Sequence, residues 1–550
     1  MYYYESDLRS DLADKVPVNS SVDLAPHQHL VTYSISFGLT GTLNPETVSP
    51  LDIGFAWPNP AAGDAQKIDD LWHAAYNSRG QFLSAQNPVE LEAALSSTIK
   101  NIAERTATAA AVAVNSARLT SESVVYLAQF NSNRWQGNLF AFPIIDLNIG
   151  TLSETPKWEA NSLLTNRDLT AEPRQIITFN GTKGVPFRWD TTTLSSEMLN
   201  DFRTSPSGAT DSDTNAEARL NYIRGDRSNE GRGLQLRPRL TILGDIVNSG
   251  PVFVGEPSLN WPDTAPFPTT TGNRYSDFKN GAAKNRIKVV YVGANDGLLH
   301  AFDDDTGKEL FAYASNALST NDATGGYHFL SNPNYTHNWY VDQTPTLSDI
   351  NITSNSTTGW HTVLVGALGA GGRGLFALDV TNPANLLETN AENNVLWEFT
   401  NSNDSDLGYT YSRPSIALAN NGRWVAIIGN GYNDTGSGEA SLFILDIEAG
   451  IDGWVATDYK KITTKAGTAV DRNGLATPAL ADVDGNGTVD RVYAGDLEGN
   501  MWVFDLSSSN KTQWDVAFKT GSTPAPLFKA PAGQPITSKP VLARHPTIPF

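Results

Sequence analysis

The sequence predicts a mainly-β protein, a β-propeller preceded by a small mixed α/β segment. Three strand motifs that recur in one order carry this expectation. The first opens with proline: GPVFVG at Pro251, TPTLSD at Pro345, RPSIAL at Pro414, TPALAD at Pro478 and KPVLAR at Pro540. The second is an apolar run closed by glycine: VVYVG (289–293), VLVG (363–366), VAIIG (425–429) and RVYAG (491–495). The third ends in aspartate, at Asp303, Asp379, Asp446 and Asp505. Three of the four units add a later aromatic strand, ELFAY (309–313), LWEF (396–399) and QWDVAF (513–518). The proline-to-proline intervals are 94, 69, 64 and 62 residues, and four strands per unit at such spacing is the pattern of propeller blades. A single blade has two apolar faces and buries them only by stacking on its neighbours. A β-sandwich with chance similarity has no reason to repeat three motifs in the same order.

Taken in order, residues 1–120 are mixed and residues 121–550 are blade-like. His29–Phe37 alternates as a strand does. Asn87 as cap, Pro88 at the first helical position and Glu90 reaching back predict a helix. Leu91, Leu95, Ile99 and Ile102 then recur at helical spacing, as in an ordinary packing helix. From Ser121 the texture changes to short strands, Gly/Asn/Asp turns and spaced aromatics, and the stretch 125–145 reads as a further, diverged blade. The strand at Pro540 has no successor, so both ends read as cut from a longer protein.

Composition narrows the chemistry. The 550 residues hold no cysteine, which removes disulfides, thiolate catalysis, Cys-ligated zinc and iron–sulfur clusters. Lys and Arg number 39 against 59 Asp and Glu, a net charge of −20, which argues against nucleic acid as a partner. Strong acidity with 13 Trp, 18 Tyr and 22 Phe is a folded composition, one suited to holding cations. No basic segment followed by an apolar run opens the chain, and no 18-residue apolar stretch predicts a transmembrane segment.

The sharpest chemical signal lies between the proline and glycine strands of the fourth unit. Asp482-Val-Asp484-Gly-Asn486-Gly-Thr488-Val-Asp490 places oxygen side chains at loop positions 1, 3, 5 and 9, with the Thr488 carbonyl at position 7. That is the ligand order of an EF-hand-type calcium loop. Ca²⁺ takes about 6–8 hard oxygens, which three carboxylates, an amide, a carbonyl and water supply; Mg²⁺ demands a stiffer octahedron. Two departures exist: Tyr493 stands where an EF-hand has its last Glu, and the flanks are strands. The expectation is a β-hairpin calcium loop. The equivalent loops Ala419–Gly422 and Asp349–Thr353 lack the ligand set, so the ligands belong to one blade and not to the repeat.

Weaker signals each have a plainer reading. Arg224-Gly225-Asp226 is an integrin-type tripeptide if exposed, although tripeptides recur by chance. Asp211-Ser-Asp213-Thr-Asn215 is half a calcium loop without turn glycines, read as solvated loop. Asp505-Leu-Ser507-Ser-Ser509 spells an adhesion-type metal motif, but the repeat explains Asp505 better. His27 and His29 share a strand face without a third ligand nearby, and Gly366–Gly374 reads as a wide hairpin. No nucleophile elbow, zincin or phosphate-loop motif is present, so no catalytic residue is predicted.

Several stretches together resemble the PilC/PilY family of type IV pilus biogenesis factors and tip adhesins. They are YYYESDLRSDL, IRGDRSNEGRG leading into LGDIVNSGPVFVG, VVYVGANDGLLHAFDDDTGKELFAY, YVDQTPTLSD, VLVGALGAGGRGLFALDV, GYTYSRPSIA and the Asp482–Asp490 loop. The resemblance covers nearly the whole chain. It implies a modified seven-bladed propeller with blades like those of quinoprotein dehydrogenases, a von Willebrand A-like domain before residues 1–120, and closing blade elements beyond 550. It implies Asp482, Asp484, Asn486 and Asp490 as side-chain calcium ligands and Thr488 as a carbonyl ligand, with occupancy regulating pilus extension against retraction. It also implies minor pilins and the pilus tip as partners, host-cell receptors including integrins through Arg224–Asp226, and a place at the cell surface, pilus tip or outer membrane. The competing readings are a quinone-dependent dehydrogenase, which generally covers its cofactor with a vicinal disulfide this chain cannot form, and a generic outer-membrane scaffold.

Overall fold

The structure, a computed structural model, describes residues 2–7, 9–11, 25, 27–45, 47–52, 54–85, 108–114, 123–131, 135–146, 151–153 and 155–543. The helix expected over Asn87–Ile102 lies outside the described residues. The chain divides into two compact units, Met1–Thr108 with Asn131–Asn133, and Ala109–Phe130 with Arg134–Phe550.

In the first unit a helix, Asp64–Asn77, connects two strands that pair in parallel, Ser34–Phe37 and Phe82–Ala85. Parallel neighbours need such a crossover. Trp72 and Ala75 form the buried side of the helix, and Trp57 stacks on His73 with ring centroids 4.4 Å apart. The strand expected from His29 begins only at Ser34. Upstream, His27 Nε2 bonds the Tyr4 carbonyl (2.7 Å) and His29 Nδ1 the His27 carbonyl (2.8 Å), so side chains hold a segment that no ladder pairs.

Among the described residues the second unit holds four blades in which each consecutive strand is antiparallel to the last. The first comprises Val252–Val254, Val289–Gly293, Leu298–Asp303 and Glu309–Ala314. The second comprises Thr346–Ser354, Thr357–Ala367, Gly374–Asp379 and Val395–Thr400. Ser415–Leu418, Trp424–Gly429, Glu439–Asp446 and Tyr459–Gly467 make the third. Ala479–Ala481, Arg491–Gly495, Asn500–Asp505 and Asp515–Val516 make the fourth. The expected diverged blade is a further sheet, led by the paired strands Val124–Asn131 and Gln136–Asp146.

Each recurring motif has a local cause. Pro251, Pro345, Pro414 and Pro478 stand one residue before their strands, where a missing N–H costs no ladder bond. Each strand-ending aspartate accepts a backbone N–H from the turn it opens. Asp303 bonds Thr306 (2.7 Å), Asp379 Thr381 (3.0 Å), Asp446 Ala449 (3.1 Å) and Asp505 Ser507 (3.0 Å). Asp505 is therefore a turn residue.

Neighbouring blades pack apolar faces together, as where Tyr313 meets Phe376 (4.8 Å) and Phe399 meets Phe443 (5.9 Å). Hydrogen bonds join their innermost edges: Gly250 N donates to Thr344 Oγ1 (2.7 Å), Thr346 Oγ1 to the Pro414 carbonyl (2.8 Å), and Arg413 N to Thr477 Oγ1 (3.0 Å). The strand expected at Pro540 is not formed. Residues 539–543 pair with nothing described, and Val541 is 95% exposed.

Inside the first blade lies an ionic chain in which Arg174, His300 and Glu309 are buried and Asp296 reaches the surface. Arg174 grips both carboxylate oxygens of Glu309 at 2.7 Å, and His300 Nδ1 meets the same carboxylate at 2.8 Å. His300 Nε2 faces Asp296 at 3.1 Å. Burial opposes charge on His300, but Asp296 and Glu309 outweigh it and hold the imidazolium up to about 9. Burial likewise opposes the Glu309 carboxylate, which Arg174 and His300 bring down to about 2. The His300 contribution to stability is present in full below its ordinary 6.5 and is lost as pH rises through 9. Thermal scans between these limits should show a falling Tm, and His300→Gln should flatten that slope; equal slopes would place the proton elsewhere.

Candidate cation site on the fourth blade

The loop between the first two strands of the fourth blade folds around its own carboxylates. Asp482 Oδ1 accepts from Gly485 N (2.7 Å) and Asn486 N (3.2 Å), and its Oδ2 accepts from Gly487 N (2.8 Å). Asp484 Oδ1 accepts from Asn486 N (3.0 Å). Asp490 reaches back across the loop, its Oδ2 accepting from Val483 N at 2.8 Å. This wrapping requires left-handed backbone at Gly485 (φ 81°) and Gly487 (φ 91°), which glycine adopts without the penalty a Cβ brings.

One carboxylate oxygen from each of Asp482, Asp484 and Asp490 lies within 4.8 Å of the others. Two oxygens on one Ca²⁺ sit at most about 4.8 Å apart, twice a bond of about 2.4 Å. Asp482 and Asp484 are exposed, whereas Asp490 is buried. Among the described residues none of the three pairs with a Lys or Arg. Only neutral amide N–H groups, from the backbone and from Asn420 and Asn486, answer three converging negative charges, which repel one another in this geometry. Every donor is a hard oxygen, the class Ca²⁺ takes.

Asn420, in the hairpin turn of the third blade, completes the arrangement. Its Nδ2 donates to Asp490 Oδ1 (3.0 Å), to the Val489 carbonyl (3.0 Å) and to the Leu506 carbonyl (3.2 Å). Its Oδ1 accepts from Thr488 Oγ1 at 2.9 Å, and Val489 N donates to the Leu418 carbonyl at 2.9 Å. The side chains of Thr488 and Asp490 are therefore positioned by a neighbouring blade. The sequence marks Asn420 only as part of a short turn without carboxylates; no local signal announces its reach across the interface.

The other expected sites land elsewhere. Arg224 follows the helix Asp213–Ile223 and is buried, paired with Glu388 at 2.8 Å and bonded to the Phe187 (2.7 Å) and Arg174 (3.0 Å) carbonyls. Gly225 is buried, and Asp226 accepts from Ser228 N at 2.8 Å. An integrin-type tripeptide must present its arginine, so this expectation is corrected: Arg224–Asp226 is a helix terminus tied into the core. Asp211–Asn215 is likewise a helix start and not a solvated loop. Ser212 caps it, Asp211 pairs with Arg219, and Asp213 pairs with Arg203 at 2.7 Å. Both carboxylates are thus already matched by cations. No cluster of metal-ligating side chains other than Asp482, Asp484 and Asp490 occurs among the described residues, so His27 and His29 form no zinc site there.

Residues 243–549 match the family model of the PilY1 beta-propeller domain. The chain is 34% identical to type IV pilus biogenesis factor PilY1 of Pseudomonas aeruginosa (strain PAK), over 99% of this chain and 49% of that relative. It is 35% identical to a PilY1 homolog of Xylella fastidiosa (strain Temecula1), over 85% of this chain and 34% of the relative. The chain thus spans about half the length, or less, of these curated relatives. The crystal structure of the Pseudomonas aeruginosa PilY1 C-terminal domain is 36% identical, covers 54% of this chain and 57% of its own, and superimposes with a TM-score of 0.41. Blades built on recurring proline, glycine and aspartate strands, and a match across more than half of its length, make the chain a member of the PilY1 β-propeller family.

Proposed function

We propose that the chain is the propeller region of a non-enzymatic type IV pilus biogenesis factor and surface adhesin that binds calcium through Asp482, Asp484, Asn486, the Thr488 carbonyl and Asp490. Convergence of three carboxylates with no cationic partner is the observation that carries the calcium reading; the relatives' names, type IV pilus biogenesis factors, carry the pilus reading. In this reading the loop is a switch. Bound calcium neutralises the carboxylates and orders the loop, and its loss restores their repulsion. Occupancy would set adhesion and the balance of pilus extension and retraction, with minor pilins at the pilus tip and host-cell receptors as partners. The setting is the cell surface, at the pilus tip or outer membrane; among the described residues no helix is long and apolar enough to cross a membrane.

Calorimetric titration of the purified chain with calcium, beside magnesium, tests the reading. Heat of binding and a raised Tm are expected with calcium, and neither at millimolar calcium would overturn it. Asn420→Ala should weaken calcium binding by about 10–100-fold, as losses of ligand-orienting partners do, while the far-ultraviolet spectrum stays unchanged. Unaltered affinity would show that Asn420 does not position the ligands.

A further inference from the structure

The connection between the first two strands is very unequal from blade to blade. It comprises residues 355–356 in the second blade, 419–423 in the third, 482–490 in the fourth and 255–288 in the first. Equivalent connections emerge at the same end of a propeller, so the long first-blade segment and the calcium loop share that end. The long segment crosses its neighbours. Trp261 Nε1 donates to the Asp349 carbonyl of the second blade (2.9 Å), and Tyr275 donates its hydroxyl to the Asp349 carboxylate (2.7 Å). Trp261 then packs edge-on against Trp424 of the third blade, 5.4 Å between ring centroids.

Its far reach is Phe267, stacked on Trp261 at 5.2 Å and only 3% exposed. A Cβ at Gly487 would stand 2.6 Å from this ring, so the ring rests on the glycine itself. The N–H of that glycine donates to Asp482 Oδ2. One apolar contact thus joins a first-blade segment to the cation loop of the fourth blade. A cleft of about 510 Å³, lined by Phe278, Arg286, Trp360 and Thr381 among others, opens beside the points where the second half of the segment bonds the second blade, as where Trp360 Nε1 donates to the Asn273 carbonyl (2.9 Å).

We propose that residues 255–288 form a strap across the second and third blades whose far point, Phe267, is locked by the cation loop. The inference rests on the calcium reading above. With the ion bound, the carboxylates hold Gly487 as a fixed seat for Phe267 and the strap stays down. Without it, repulsion among Asp482, Asp484 and Asp490 loosens the seat, and the strap loses its anchor on the fourth blade. A change at one loop thereby becomes a change in the surface over three blades.

Amide hydrogen exchange of the whole chain, with calcium or with chelator, tests the coupling beside calorimetry on the same samples. Calcium should slow exchange about tenfold in residues 482–490 and also across 258–278. Phe267→Ala should keep the calorimetric heat and the loop protection while losing the calcium response of 258–278; Phe267→Leu serves if the alanine variant fails to fold. Heat and loop protection in the unaltered chain without a response in 258–278 would overturn the strap and leave the calcium reading standing. An undiminished strap response in the Phe267 variant would also overturn it. Absence of both heat and loop protection would overturn the calcium reading itself, and the strap with it.

Discussion

Asp490→Ala is expected to abolish the calcium-dependent rise in Tm and the calorimetric heat, with the chain still folded. Asp490 is the one buried carboxylate of the three. It is also the one that crosses the loop, from the Val483 amide to Asn420 of the next blade. Its loss removes a ligand, a hairpin closure and a link between blades together. In the absence of calcium the variant should lose less than the loop hydrogen bonds suggest, because one of three mutually repelling charges has gone. A variant that binds calcium with unchanged heat would remove Asp490 from the ligand set.

The second large effect concerns stability. Arg174→Met should destabilise the propeller by about 3–5 kcal/mol, because it strands the buried Glu309 carboxylate without its guanidinium. The pair is bidentate at 2.7 Å, and both side chains are 1% exposed or less. His300 already faces Asp296 and cannot neutralise both carboxylates alone. Urea unfolding of the region reporting on the first blade measures the effect. A loss below about 1 kcal/mol would show that the chain of charges is dispensable, as some buried ion pairs are when well packed.

Much of this molecule is legible in its sequence alone. Strands with their own local chemistry read clearly: the run from Val289 to Gly293 and that from Arg491 to Gly495 are bounded in the structure as in the motif. The fourth strand of the third blade, Tyr459–Gly467, escaped because it is an outer strand whose lysines and threonines carry little apolar pattern. The strands Ile176–Phe179 and Gly184–Pro186 extend the first blade to six and carry no repeat signature; the first pairs Ile176 with Ala312 far along the chain, and the second pairs with the first. The Arg224 tripeptide misled for the same reason: its meaning depends on Glu388, far along the chain.

The division follows from the range of the forces involved. Turn capping by aspartate, the proline at a strand's start, the alternation of loop oxygens and the left-handed glycines act within a few residues. Hence the blades and the Asp482–Asp490 loop could be read from order alone. Burial, ion pairing and packing join residues that sequence order separates. Only the tertiary structure could show Asn420 orienting Asp490 from the next blade, Phe267 seated on Gly487 from across three blades, and Arg224 withdrawn into the core.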